Sequence, residues 1–149
     1  MKSILFSKKQ IIKLFFISFI FSPCLLLSQY TWTEVPSSTS VSSNGGRAVA
    51  TNTDGNTVVV GAYTYNSHAG LVTVFEYTGT QWIDKGMPFY GNPSDELGHS
   101  VDISNDGNTI AVGSPGANFD DGQVAVYNWH GSSWIQLGQD INGSLNATR

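Results

Sequence analysis

Residues 99–113 read HSVDISNDGNTIAVG, and this stretch decides the fold because much of it occurs twice in the chain. Its run Asp106-Gly107-Asn108-Thr109 matches Asp54-Gly55-Asn56-Thr57 without a gap, at an offset of 52 positions (106 − 54). In each copy the Asp-Gly pair predicts a tight turn, because glycine supplies a positive φ and Asp and Asn side chains bond nearby backbone. The runs Val58-Val59-Val60 and Ile110-Ala111-Val112 then predict a strand that is buried on both faces.

The match continues through each copy and defines a repeating unit of about 50 residues. The positions that mark the repeat are Gly55 and Gly107, Gly61 and Gly113, and Trp82 and Trp134. Each copy predicts four strands, at residues 47–51, 57–61, 71–77 and around Trp82, and at residues 99–104, 109–113, 123–129 and around Trp134. A polar loop, at residues 66–70 or 118–122, joins the second strand to the third. We therefore predict an all-β fold of four-stranded antiparallel units, each with the dimensions of a β-propeller blade.

Two motifs of the second copy resemble a known repeat family. Leu97-Gly98-His99-Ser100-Val101, followed by Ile-Ala-Val-Gly-Ser-Pro at 110–115, resembles an FG-GAP repeat, the blade of integrin-α-type β-propellers. With residues 122–127 and 131–134, the copy is similar to FG-GAP-like repeats of exported proteins from flavobacterial-type bacteria. Kelch repeats and the sialidase Asp-box show weaker similarity, and all three families imply a propeller.

The sequence pattern and the resemblance together predict four segments in the chain. They are a secretory signal peptide at residues 1–28, the end of a preceding blade with a linker at 29–45, and FG-GAP-like repeats at 46–97 and 98–149. Since propellers have about 4 to 8 blades, we expect these two blades to be part of a larger propeller in a longer protein. The alternative is a short array that is closed by dimerisation.

The first residues have the pattern of an export signal. A basic segment with Lys2, Lys8, Lys9 and Lys13 precedes an apolar run at residues 14–27, and Ser28 offers a small residue for cleavage. The run is shorter than the roughly 20 residues of a membrane span and contains Pro23. We therefore expect a secreted or cell-surface protein with no stable membrane span after cleavage. An uncleaved anchor, or a lipid on Cys24, is the alternative.

The charge distribution argues against nucleic-acid partners. After residue 28 the chain keeps Arg47, Lys85 and Arg149 against all eleven acidic residues, a formal charge of −8 (3 − 11). Binding to nucleic acid needs clustered cations that displace counterions from phosphate, and the sequence has no such cluster. We expect an extracellular protein or a glycan as the partner.

Asp102 and Asp106 are the candidate metal ligands. FG-GAP propellers often hold Ca²⁺ in an Asp/Asn-rich loop between the first two strands, and residues 102–109 occupy that place. A Ca²⁺ site needs six or more oxygen ligands, whereas this loop is short and lacks a second carboxylate after Gly107. We interpret the loop as a hairpin turn and expect no cofactor, with Ca²⁺ as the alternative.

The candidate ligand contacts lie in the loops. Tyr63 and Tyr65 are aromatic in one copy only, while the recurrent Trp82 and Trp134 indicate packing. Asp120 and Asp121 form an acidic tip before the third strand of the second copy. His68, His99 and His130 occupy different repeat positions without metal-ligand spacing, and the sequence has no catalytic serine or phosphate-binding motif.

These observations predict a non-catalytic, exported β-propeller repeat module that binds protein or glycan in adhesion at the cell surface. Two alternatives stay open. One is a propeller enzyme that acts on glycans with catalytic residues in other blades, and the other is a structural spacer array.

Overall fold

A computed structural model describes residues 45–144, all of which belong to the compact unit Val35–Arg149. The predicted signal peptide at residues 1–28 lies outside the described residues, and so does most of the segment at 29–45. The described residues form two antiparallel sheets with very little helix, so the predicted all-β class is confirmed.

The first sheet is an antiparallel array whose strands follow chain order. Its strands are β1 (Ala48–Thr51), β2 (Thr57–Gly61), β3 (Leu71–Tyr77), β4 (Trp82–Asp84) and β5 (Phe89–Tyr90). The order is β1-β2-β3-β4, and β5 also pairs with β3. Strands β4 and β5 lie along the same edge of β3, and the Lys85 N–H donates to the Val74 carbonyl at 2.8 Å between them. The predicted fourth strand is therefore present as two short pieces.

The second sheet has the same connectivity. Its strands are β6 (Ser100–Ile103), β7 (Thr109–Ser114), β8 (Gln123–Trp129), β9 (Trp134–Gln136) and β10 (Ile141–Asn142). Each strand begins 52 residues after its counterpart in the first sheet. The pairing register is also the same, since Val49 faces Val60 in the first sheet and Val101 faces Val112 in the second.

Two different sets of side chains hold the turns that precede β2 and β7. In the first turn, Asn52 Oδ1 accepts bonds from the N–H groups of Asn56 and Thr57, both at 3.0 Å. In the second, Ser104 Oγ accepts from the Thr109 N–H at 2.9 Å and Asp106 Oδ1 from the Asn108 N–H at 3.0 Å. Both turns therefore close on the same backbone positions.

A short left-handed turn interrupts each loop between the second and third strands. The turns are α1 (Tyr65–His68) and α2 (Ala117–Asp120). Asn66, Ser67 and His68 have φ of 49°, 56° and 65°, and the three residues 118–120 have φ of 55–68°. The sequence indicated only an irregular polar loop here. The structure shows an ordered element that side-chain sterics normally disfavour.

The hydrophobic core lies between the two sheets, which pack face to face. Val59, Val72 and Val74 of the first sheet cluster with Ile110 and Val112 of the second, and all five are at most 2% exposed. Seven half-buried residues surround them: Ala50, Phe89, Leu97, Val101, Ile103, Tyr127 and Trp134.

The opposite face of the second sheet is not covered by the described residues. Ala111 belongs to that face and is half-buried, although the sequence predicted a strand buried on both faces.

Lys85 joins the two sheets at the end where the β1–β2 and β6–β7 turns lie. Its buried ammonium donates to the Gly107 carbonyl at 3.0 Å, contacts Asn108 Oδ1 at 3.4 Å and pairs with Glu76 Oε1 at 3.3 Å. The Trp134 Nε1–H in turn donates to the Lys85 carbonyl at 2.7 Å. We call these residues the Lys85 cluster. They fix the relative position of the two sheets through hydrogen bonds.

Trp82 and Trp134 share one aromatic neighbour position in their sheets. The Trp82 ring lies 5.4 Å from that of Tyr77, and the Trp134 ring lies 5.2 Å from that of Trp129, which is the counterpart of Tyr77. Trp134 also contacts the inter-sheet core. Both tryptophans therefore pack beside the aromatic residue that ends the third strand.

Candidate ligand-binding rim

The loops at one end of the two sheets bring most of the candidate residues together. This end, which we call the loop rim, consists of residues 62–70, 91–99 and 115–122. It lies where β2 and β7 end and where β3 and β8 begin, opposite the turns and the Lys85 cluster.

Tyr63 is at the centre of a contact cluster on the loop rim. Arg47 Nη1 donates to the Tyr63 hydroxyl at 3.0 Å, and the guanidinium lies 5.0 Å from the ring centroid. The rings of His68 and His99 contact Tyr63 edge-on at 5.9 Å and 5.1 Å. Tyr63, a predicted ligand contact, is thus surrounded by three basic side chains. Arg47 and His68 belong to the first repeat, and His99 belongs to the second.

A cleft of about 550 Å³ lies beside this cluster, between the left-handed turns. His68 Nδ1 and Glu96 Oε1 are 3.1 Å apart on one wall, and the exposed Asp120 carboxylate lines the other. Ser67, Ser94, Pro115 and Gly116 complete the lining. The cleft therefore presents an imidazole, two carboxylates and hydroxyl groups to one space.

A second cleft of about 520 Å³ adjoins the first and shares Ser94, Gly116 and Asp120 with it. Asn118 and Gln123 contribute amide groups, and Phe119 contributes a fully exposed ring. Clefts of this size suit small ligands or short oligomers. Amide, carboxylate and hydroxyl groups next to an aromatic ring can bind a molecule that has both polar and apolar faces.

Asp120 and Asp121 do not act on the same space. Asp120 lines the two clefts, whereas Asp121 lines a separate groove of about 410 Å³ on the outer face of the second sheet, together with His99. An acid–base pair needs both groups at one reacting centre. This placement therefore does not support a catalytic carboxylate pair.

Tyr65 lies away from the Tyr63 cluster. Its ring lies 6.0 Å from the ring of Tyr90, which belongs to β5 and is 63% exposed. The two predicted tyrosines thus belong to different parts of the loop rim, and Tyr65 with Tyr90 forms an exposed aromatic pair.

Backbone strain is concentrated on the loop rim. All non-glycine residues with positive φ in the described part of the chain lie there. They are Asn66, Ser67, His68, Ser94, Glu96, Asn118, Phe119 and Asp120. Such conformations cost on the order of 1 kcal/mol or more each and are enriched at ligand-binding sites. Seven of these eight residues also line the two clefts.

Asp102 and Asp106, the candidate ligands of the Ca²⁺ alternative, lie at the opposite end of the second sheet. The Asp106 carboxylate accepts bonds from the Ser104 hydroxyl at 2.5 Å and from the Asn108 N–H, and these bonds lower its pKa below the usual 3.8. Asp102 Oδ1 accepts from the Ile103 N–H at 2.9 Å. Between residues 45 and 144, no three His, Cys, Asp or Glu side chains are grouped as metal ligands. Asp106 thus has the geometry of a turn-stabilising residue.

Arg47, His68, His99 and Glu96 were not predicted as a group. Each histidine occupies a different repeat position, so comparison of the two copies separates them. The fold joins them because the β2–β3 loop of the first sheet lies beside the segment that enters the second. A usable signal is the charged or aromatic residue that differs between copies at a loop position, as His68 differs from Asp120.

No protein-family model matches the chain, and no curated protein matches it. Within residues 45–144, the structure contains no helix with the length and hydrophobicity needed to cross a bilayer.

Proposed function

We propose that this chain is part of a non-catalytic, exported β-propeller module that binds a glycan at the cell surface through the clefts of its loop rim. The observation that carries the proposal is the coincidence of strained backbone with the cleft lining. Residues such as His68, Phe119 and Asp120 combine both features. Strain that brings no packing benefit is retained where the exposed side chains have a role.

The propeller assignment is supported by the way the two units pack. Each is a four-stranded antiparallel array, and the first strands, β1 and β6, lie next to each other in the core region. Adjacent blades of a propeller pack face to face in this manner. The FG-GAP-like motifs, Leu97-Gly98-His99 among them, lie where one unit enters the other.

A glycan is favoured over a protein partner by the form of the rim. Protein interfaces of standard size bury about 800 Å² on each partner and use a compact apolar centre. The loop rim instead has two concave, polar clefts next to isolated aromatic rings, Phe119 and the Tyr65–Tyr90 pair. Concave polar sites with few aromatic contacts suit a small hydroxylated ligand.

The export part of the proposal rests on residues 1–28. Their basic start, apolar run and small residue at Ser28 are typical of a cleaved secretory signal. A protein released to the medium or surface with Gln29 as its first residue is the expected product.

The binding proposal is tested on an oligosaccharide array with the purified chain and two matched variants. His68→Ala removes a ring from the loop rim, and His130→Ala removes one from the opposite end of the sheets. We expect the chain to bind a subset of oligosaccharides, His68→Ala to weaken binding at least about tenfold, and His130→Ala to bind normally. Equal loss in both variants, or binding only to extracellular proteins spotted on the same array, would contradict the glycan assignment.

The non-catalytic part is tested with any oligosaccharide that binds. Mass spectrometry after prolonged incubation should recover the ligand unchanged. A cleaved product whose formation requires Asp120 would favour the enzyme alternative instead.

A further inference from the structure

Arg47 is an exposed cation on a surface rich in acidic residues. Between residues 45 and 144, the sequence contains Arg47 and Lys85 as its only Arg and Lys residues. Lys85 is buried and pairs with Glu76, whereas the Arg47 side chain is exposed. Among the residues that the structure describes, no Asp or Glu carboxylate forms an ion pair with the Arg47 guanidinium. Its positive charge is therefore available to a ligand.

The Tyr63 cluster gathers hydrogen-bond donors around one ring. Arg47 Nη1 donates to the Tyr63 hydroxyl at 3.0 Å, and the guanidinium lies 5.0 Å from the ring centroid. A guanidinium has five N–H donors in a planar fork, so these contacts orient the fork and leave most of its donors free for a ligand. The Tyr63 hydroxyl accepts from Arg47 and keeps its own proton for donation, and the imidazole of His99, 5.1 Å from the ring, adds an N–H group. Several donors and a fixed positive charge together suit an anionic group.

Arg47 and His99 occupy the same position of the two repeats, at the offset of 52 residues (99 − 47). Arg47 directly precedes β1 and His99 directly precedes β6, and these two strands lie next to each other. The two basic side chains therefore reach the same Tyr63 ring from neighbouring units. The counterpart of Tyr63 in the second repeat is Pro115, which has neither ring nor hydroxyl. The cluster thus forms at the junction of the two repeats and depends on their packing.

The carboxylates around the cluster limit the ligand to few negative charges. Glu96 Oε1 lies 3.1 Å from His68 Nδ1, Asp120 lines the cleft beside them, and Asp121 lines the groove on the outer face together with His99. A ligand with several anionic groups would meet these carboxylates and be repelled. One anionic group bonded directly to Arg47 gains more, because charges farther away than about 8 Å are largely screened at physiological ionic strength. The surroundings therefore favour one anionic group with uncharged polar groups beside it.

We propose that the Tyr63 cluster binds the single anionic group of an acidic glycan, a uronate carboxylate or a sulfate ester, and that the adjoining cleft holds the neutral sugars attached to it. This site rests on the proposed function, glycan binding at the loop rim, and adds the charge of the ligand to it. Both kinds of anionic group present oxygen atoms that accept from the guanidinium of Arg47 and the hydroxyl of Tyr63. His68 contacts the Tyr63 ring and lines the cleft, so it connects the two parts of the site.

The test measures binding of the purified chain to oligosaccharides that each carry one acidic sugar among neutral sugars. The acidic sugars are glucuronate, galacturonate, mannuronate and sulfated galactose, and the methyl esters of the uronates and the desulfated galactose compounds are the neutral counterparts. We expect at least one acidic oligosaccharide to bind at least about tenfold more tightly than its neutral counterpart. The uronate and sulfate arms identify which anionic group the site prefers. The affinity for the acidic form should fall when NaCl is raised from about 50 mM to about 500 mM, and the affinity for the neutral form should not.

Variants of the cluster separate a ligand contact from a structural contact. Arg47→Gln should lower the affinity for the acidic oligosaccharide to that of its neutral counterpart, and Arg47→Lys should give an intermediate loss because it keeps the charge without the fork. Tyr63→Phe keeps the ring and should cost about threefold to tenfold through loss of the hydroxyl donor. Each variant should melt within about 2 °C of the original chain, since a single surface contact contributes little to stability. Arg149→Gln, which removes an equal charge outside the cluster, is the matched control and should bind normally.

NMR locates the contact, because the ring signals of His99 and Tyr63 should shift when the acidic oligosaccharide is added to the full chain and should not shift in Arg47→Gln. Equal affinity for the acidic and neutral forms overturns the anionic site and leaves glycan binding at the loop rim standing. Normal binding of the acidic form by Arg47→Gln, or an equal loss in Arg149→Gln, does the same. A chain that binds no oligosaccharide of either kind overturns the anionic site and the proposed function together, so the two failures are distinguishable.

Discussion

Asp106 shows how one exposed carboxylate stabilises a turn through hydrogen bonds. Its Oδ1 accepts bonds from the Ser104 hydroxyl and the Asn108 N–H, and the pKa of the carboxyl is lowered as a result. In the first sheet an amide, Asn52, performs the same task through neutral hydrogen bonds. Two turns of equal geometry therefore differ in their response to pH.

We predict that Asp106→Asn removes an acid-sensitive part of the stability. A carboxyl whose pKa is lowered in the folded state stabilises the protein above its ordinary value of 3.8, and this contribution is lost as the pH falls through the folded-state value. The original chain should therefore melt at a higher temperature than Asp106→Asn at pH 7, and the difference should shrink as the pH falls below 3.8 and through the lowered folded-state pKa. Melting curves by circular dichroism measure it.

Asp54→Asn is the control for this prediction, because the amides of the first turn are bonded by Asn52 instead. A difference between the original chain and Asp106→Asn that is constant from pH 7 to pH 3 would show that the carboxylate has no such role.

Lys85 is a buried cation that stabilises the contact between the two sheets. Its ammonium satisfies the Gly107 carbonyl across the interface, and its partner Glu76 has a side chain that is 45% exposed. We predict that Lys85→Met lowers the free energy of unfolding by about 1–3 kcal/mol, because a buried carbonyl loses its donor. Urea denaturation measures the change. Glu76→Gln removes only the half-exposed ion pair and should cost less than about 1 kcal/mol. A stabilising Lys85→Met would mean that apolar packing outweighs the lost bonds.

At the scale of elements, the local sequence predicts the positions of the second and third strands, but the fourth strand, which is predicted as a single piece, is divided. The Asp-Gly turns and the apolar runs after them place β2 and β7 to within one residue of the prediction. The third strands agree at both ends. The fourth strand is split at the same point in both sheets, just before Gly86 and Gly138, which have φ of 84° and 79°. These glycines recur at one repeat position, so the break has a sequence signal that the prediction of a single fourth strand did not use.

The left-handed turns have only a partial sequence signal. Asn, Asp and His are enriched at positive φ, and each turn begins with Asn66 or Asn118, but Ser67 and Phe119 have no such preference. Their conformation is imposed by the loop closure between two paired strands, since the N–H groups of Gly70 and Gly122 bond back across each turn to the carbonyls of Tyr65 and Ala117 at 3.0 Å. The hydrogen bonds that close each loop therefore determine the backbone conformation of these residues more than their individual preferences do.

We predict that Phe119→Gly stabilises the chain while it weakens ligand binding. Phe119 has φ of 60° and a fully exposed ring, so its side chain gives no packing energy in return for the strain. Glycine relieves the strain, and the free energy of unfolding should rise by about 0.5–1 kcal/mol. Phe119→Ala keeps the strained backbone and should show the weaker binding without the gain in stability. Equal stability of both variants would remove the evidence that the turn is strained.

At the scale of the whole molecule, the sequence repeat predicts the two units, but the packing between them determines which residues meet on the loop rim. Comparison of the copies could locate Tyr63, Tyr65, Asp120 and Asp121 as loop residues that differ between units. It could not bring Arg47 and His99 to Tyr63, since that contact depends on how the second unit lies against the first. The burial of equivalent residues also differs between the copies. Among the described residues, another sheet covers this face in the first sheet and not in the second.

The difference between the two outer faces leads to the last prediction. Val72 and Val124 occupy the same position of the two sheets, but Val72 is fully buried between the sheets and Val124 is 37% exposed on the outer face of the second sheet. Val72→Ala should lower the free energy of unfolding by about 2 kcal/mol, because it removes two buried methyl groups and leaves a cavity. Val124→Ala should cost less than about 0.5 kcal/mol, since water already reaches that side chain. Urea denaturation of both variants measures the pair. Equal losses would mean that the outer face of the second sheet is covered as fully as the equivalent face of the first sheet.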